Sequence, residues 1–222
     1  MKKIIFFGIS ILIICSFNPA FAHKLILHDD SHRDFDTALQ IPDHKISWAI
    51  YENLGTNEAK FYTFDAKKGD SFYASIVIPK IEGLEEYSPT MTLADSENQY
   101  RKKIPFEGNF PSKEFYEPFG QVTYWERQEI KTEIPFDGKY FIIVNDEKDQ
   151  SGKYSLAVGI IEDFSTIDFV TILPVAWFET KLFVNDINSI LYFVMLMILI
   201  ITIPIFVHII KNKIKKQKIS ID

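Results

Sequence analysis

The chain has 222 residues, with 24 Lys and Arg against 30 Asp and Glu, a net charge of −6, and one cysteine, Cys15. That acidic balance argues against nucleic acid as a partner. A lone cysteine excludes a disulfide framework, so a domain outside the cytoplasm must rest on its core or on bound metal.

Residues 1–22 open with Lys2 and Lys3, continue as an apolar run from Ile4 to Phe17, and end in the small-x-small triplet Ala20-Phe21-Ala22. This is the pattern of a cleaved secretory signal peptide, which makes His23 the first residue of the mature chain. Residues 23–188 then carry 17 bases and 29 acids, about −12, once Lys2, Lys3, the five tail lysines and Asp222 are set aside. Residues 23–44 form a polar arm holding His23, His28, His32 and His44 among Asp29, Asp30, Asp34 and Asp36. A free N-terminal His offers its amine and a ring nitrogen, and one more His completes a T-shaped nitrogen site that suits copper. That arrangement resembles the copper brace of secreted copper enzymes and chaperones. His28 and His32 also have the spacing to chelate zinc or copper from one helical face, although the Asp-rich setting reads as loop. The plain alternative is a solvated lead-in to the folded domain.

Residues 45–163 read as strands. In 45–53, Ile46, Trp48 and Ile50 share a face. Residues 60–66 lead through the turn 67–70 into 71–79, where Phe72, Ala74, Ile76 and Ile78 face one way; the two runs read as a hairpin whose Gly69 supplies positive φ. Further strands are expected at 89–95, 121–134, 140–146 and 153–160, with Tyr154, Leu156 and Val158 on one face of the last. No long helical period interrupts them, and aromatics favour β structure, so the fold class is all-β, a β-sandwich or jelly roll.

The order FYTFDAKKGDSFYASI, PTMTLAD, GKYFIIV, SGKYSLAV, between Phe61 and Val158, resembles the pre-peptidase C-terminal type of secreted β-sandwich. The resemblance implies a non-catalytic module, of a kind often bound to matrix or carbohydrate and in some members to calcium. The chain departs from that pattern in a long middle insertion and in its membrane anchor.

Within the insertion, Phe110, Phe115, Tyr116 and Phe119, with Trp125 nearby, read either as a loop folded over the sheet or as an aromatic platform for sugar or peptide. The phrases at 104–108 and 134–138 (I-P-F-E-G, I-P-F-D-G) read as equivalent strand-to-turn corners or as chance, not as a tandem repeat. Asn145, Asp146, Glu147 and Asp149 offer oxygen ligands for calcium or form an ordinary acidic turn. Residues 164–188 are apolar but interrupted at Leu173-Pro174. They read as an interfacial segment with Trp177, Phe178 and Phe183 at headgroup level, or as an element packed on the sandwich.

Residues 189–210 are apolar on every face. About 21 residues at 1.5 Å each make a helix of roughly 32 Å, enough to cross a hydrocarbon layer of about 30 Å. Lys211, Lys213, Lys215, Lys216 and Lys218 follow and place the tail, 211–222, in the cytoplasm and the domain outside. No G-x-S-x-G, H-E-x-x-H, P-loop or dinucleotide fingerprint is present. The expected protein is a single-pass cell-membrane protein with a non-catalytic binding or accessory module outside. Its expected partners are the lipid bilayer, other membrane proteins, and surface carbohydrate or peptide. The alternatives are a copper-binding protein using His23, with zinc or calcium as lesser candidates, and a surface hydrolase.

Overall fold

The computed structural model describes residues 23–97 and 99–219, with side chains through Lys211. The expected signal peptide, 1–22, and the end of the tail lie outside the described residues. The chain forms two units, one ending at Thr180 and one beginning at Lys181.

The first unit is the expected sandwich. One sheet has six strands in the order β1 (Lys24–Leu25), β3 (Trp48–Leu54), β11 (Gly152–Val158), β5 (Ser71–Pro79), β9 (Val122–Glu133), β8 (Glu114–Glu117). The other has five, β2 (Leu39–Gln40), β4 (Ala59–Ala66), β10 (Gly138–Asn145), β6 (Thr90–Asp95), β7 (Arg101–Ile104). Alternation places one face of each strand between the sheets. Phe72, Ala74, Ile76 and Ile78 of β5, Tyr154, Leu156 and Val158 of β11, and Tyr140, Ile142 and Val144 of β10 all lie in one buried core. Removing these side chains from water, at about 25 cal/mol per Å², is the main stabilising term.

The expected hairpin does not form. β4 pairs with β10 and β2, whereas β5 pairs with β11 and β9. The turn 67–70 carries the chain from one sheet to the other, so Phe64 and Phe72 stack across the interior at 5.0 Å and 6°. Gly69 does take positive φ, at 87°. Its N–H donates to the Ile134 carbonyl at 2.8 Å, and Ile134 N–H donates to the Asp70 carbonyl at 2.9 Å, which ties the corner to the end of β9.

The arm contributes a strand to each sheet. β1 runs parallel to β3, with Lys24 opposite Trp48, and β2 runs parallel to β4, with Leu39 opposite Tyr62. Both are edge strands.

After β11 comes α1 (Asp168–Phe183). Ser165 and Asp168 start it as a capping box: Ser165 N–H donates to Asp168 Oδ2 at 2.8 Å. Lys24 Nζ stands 3.4 Å from the same carboxylate. The helix runs through Pro174, where the sequence suggests a break. The proline removes one intrahelical donor, from the Val170 carbonyl, and leaves the remaining ladder in place. Ala176 is buried, and Thr180 Oγ1 lies 2.8 Å from the Tyr51 hydroxyl of β3, so this helix rests on the outer face of the six-stranded sheet.

In the second unit, α2 (Ile187–Ile219) is capped by Asp186, whose carboxylate accepts from Ser189 N–H at 3.1 Å and Ser189 Oγ at 2.6 Å. Lys181 Nζ donates to it at 2.9 Å. The Ser189 bonds and Lys181 hold this carboxyl down at about 2. Ile187–Lys211 is long and apolar enough to cross a membrane, and none of its apolar stretch is buried. The helix continues past Pro204 and on through the lysine-rich tail to Ile219.

Candidate functional site

On β3, the phase that buries Ile50 and Leu54 also turns Glu52 inward, where it is 1% exposed. The arm lays two histidines against it. His32 Nε2 donates to Glu52 Oε1 at 2.6 Å, and His28 Nε2 lies 3.3 Å from the same oxygen while donating to the Tyr51 carbonyl at 3.1 Å. The two rings meet edge to face, 4.7 Å apart at 85°. Tyr62 of β4 reaches across the core and donates to Glu52 Oε1 at 3.0 Å. Among the described residues, His28, His32 and Glu52 are the group of three whose ligating atoms converge, all within 4.8 Å of one another.

Lys60 sits beside this cluster for the same reason as Glu52. The phase that buries Tyr62 and Phe64 on β4 buries Lys60 completely. Its ammonium pairs with Asp30 of the arm and stands 3.9 Å from Glu58. Arg33 bonds both of those carboxylates, at 2.7 and 2.5 Å. Burial pushes the Asp30 carboxyl up, but the hydrogen bonds from Lys60 and Arg33 outweigh it and leave it below the usual carboxylate range.

The other two arm histidines go elsewhere. His23 Nδ1 is 2.6 Å from Ser47 Oγ, and burial lowers its imidazole below the ordinary value. His44 packs 5.0 Å from the Phe64 ring, with Nε2 3.7 Å from Asp70. Burial lowers its imidazole as well, more than Asp70 and Asp43 raise it. The structure therefore brings His28 and His32 together and keeps His23 and His44 at separate contacts.

A second feature lies on the outer face of the six-stranded sheet. Ala157 stands between Ala49 and Ser75 in register, and Ser155 between Tyr51 and Val77. Small side chains thus run across three adjacent strands, and they floor a cavity of about 380 Å³. Tyr51, Tyr73, Phe115 and Phe119 line it, and Ala176 and Thr180 of α1 border it. Burial raises the phenols of Tyr51 and Tyr124 above the ordinary range, so both stay as neutral hydroxyls.

The five aromatics singled out in the sequence divide between settings. Phe115 and Phe119 line this cavity, and Tyr116 is 56% exposed. Trp125 is buried in the core. Phe110 lies 5.2 Å from the guanidinium of Arg127, which is also near Phe106 and Trp125. Arg127 donates to the Tyr87 and Glu85 carbonyls at 2.9 and 2.8 Å, and burial lowers it to about 10. It pins the insertion rather than opening a platform there. In the acidic turn, Asp146 Oδ1 accepts from Lys148 N–H at 2.6 Å, and Glu147 pairs with Lys103.

No family model matches the chain, and no curated protein matches it. Among solved structures it is similar to the pre-peptidase C-terminal domain of collagenase from Bacillus anthracis, at 16% identity over 54% of this chain and 91% of that one, with a TM-score of 0.35. It is similar also to PliG of Salmonella Typhimurium, a periplasmic inhibitor of g-type lysozyme, at 17% identity over 62% and 96%, with a TM-score of 0.33. The Yersinia pseudotuberculosis-derived mitogen matches at 11% identity over 58% and 94%, with a TM-score of 0.34. Identities and scores this low assign neither family nor function.

Proposed function

We propose that this chain is a single-pass membrane protein whose β-sandwich stands outside the cytoplasm and binds surface carbohydrate or a short peptide, without chemistry on its ligand. The observation that carries this reading is the trough on the outer sheet face. Outer faces of sheets are usually covered by long polar side chains. Here Ala49, Ala157, Ser75 and Ser155 leave a floor of small groups between rings. A cavity of this size, with aromatic walls and a few hydroxyls, has the make-up of a small-ligand site. The apolar stretch of α2 and the lysines after it support anchorage with the tail inside.

The test is an array of oligosaccharides and short peptides probed with detergent-solubilised chain. Specific binding that is abolished by Ala157→Trp, which fills the trough, supports the reading. No binding to any probe, or equal binding by the filled variant, would sink it. Extraction of the full chain from membranes by alkaline carbonate would sink the anchorage.

A further inference from the structure

Residues 23–219 contain no cysteine, so no disulfide fixes the arm to the sandwich. We propose that a zinc ion does so, bound by His28, His32 and Glu52. Two imidazole nitrogens and one carboxylate, with a fourth position left for water, form an established zinc donor set. Tetrahedral ligands about 2.0–2.1 Å from zinc stand roughly 3.3 Å from one another. The His28–Glu52 separation is 3.3 Å, and the His32–Glu52 pair, at 2.6 Å, opens by about 0.7 Å to admit the ion.

The state of Glu52 supplies an independent reason. Its Oε1 gathers His32 and Tyr62, while its Oε2 is buried with no hydrogen-bond partner. The nearby buried cation, Lys60, is paired with Asp30 and Glu58 instead. A carboxylate held 1% exposed with its Oε2 bare carries a charge that its hydrogen bonds only partly meet, and a cation at Oε1 lowers that cost. Tyr62 is placed to orient that carboxylate from behind, as outer partners of metal ligands do. In the structure both Nε2 atoms donate, to Glu52 and to the Tyr51 carbonyl. The ion replaces those bonds at Nε2, and each ring carries its proton on Nδ1 instead.

The clasp closes a loop between His32 and Glu52, 20 residues apart, and makes arm docking metal-dependent. Copper binds nitrogen sites more tightly than zinc in general, so the test carries both metals.

The experiment uses the full chain in detergent, stripped with chelator, reloaded with zinc, copper or cobalt, and desalted. Elemental analysis is expected to find about one zinc per chain in the wild type and in His23→Ala. His28→Ala and Glu52→Gln are expected to bind at least about tenfold more weakly. Cobalt in the wild-type chain is expected to show the visible absorption bands of a tetrahedral site. That readout needs no variant, so misfolding of Glu52→Gln cannot mask the result. Absence of retained metal and of cobalt bands overturns the proposal. So does copper that is retained by His28→Ala and lost in His23→Ala, which would place the site at the N-terminal residue.

Discussion

The hydroxyl of Tyr62, from the five-stranded sheet, meets the hydroxyl of Tyr154, from the six-stranded sheet, at 2.7 Å in the fully buried interior. Tyr62 also donates to Glu52. The two tyrosines are therefore unequal. Tyr62→Phe strips a partner from both Tyr154 and Glu52 and should cost roughly 2–3 kcal/mol. Tyr154→Phe leaves Tyr62 bonded to Glu52 and should cost about 1 kcal/mol. Urea denaturation of the two variants checks the order; equal costs would refute it.

Asp30→Ala leaves the ammonium of Lys60 buried with only the more distant Glu58. Because Asp30 is half exposed and Glu58 remains, the cost should be roughly 2–3 kcal/mol, below the ~3–5 of a fully buried pair. Lys60→Met combined with Asp30→Ala should recover most of it. The Asp30 carboxyl is held below its ordinary value, so its contribution is complete above the unfolded carboxylate range and is lost as pH falls through and below about 4. A double-mutant cycle in urea at neutral pH, repeated at acid pH, reads both effects.

The imidazoles of His23 and His44 are both lowered by burial. The unfolded chain therefore binds protons at these positions more readily than the folded one. Stability should be highest above about pH 6.5, the ordinary histidine value, and should fall as pH drops below it. His44→Phe, which keeps a ring against Phe64, should flatten part of that slope. Midpoints of thermal unfolding between neutral and mildly acid pH measure it; an unchanged slope would contradict the assignment.

Gly120 lies where a Cβ would come within 2.6 Å of Thr180 Cγ2 and 2.8 Å of Glu117 Oε2. Thr180 is a short branched side chain held to Tyr51, so it has little room to yield. Gly120→Ala should cost roughly 1–3 kcal/mol and loosen α1 from the outer sheet face. Faster hydrogen exchange along the part of α1 before Lys181 would show it.

The strands with one apolar phase were legible in the sequence. Phe72, Ala74, Ile76 and Ile78 alternate cleanly, and so do Tyr154, Leu156 and Val158. The hairpin reading failed because a glycine turn looks the same whether its strands pair or separate into two sheets. β7 and β8 offered no alternation: R-K-K-I and E-F-Y-E are edge strands of four residues. Two signals stood in plain view. Glu52 occupies the inward phase of Trp48, Ile50 and Leu54, and Lys60 that of Tyr62 and Phe64. An ion at such a position points to a buried polar centre. Ser165-x-x-Asp168 before an apolar run likewise marked the start of α1. The trough could not be read, because only register aligns Ala49, Ala157 and Ser75.

The two-residue strands β1 and β2 lie at matching margins of the two sheets, and the opposite margins are β8 and β7, which carry Glu114 and Glu117 or Arg101, Lys102 and Lys103. A bare margin invites a neighbour to extend the ladder. With brief strands on one side and charges on the other, this domain offers a second copy little ladder to extend.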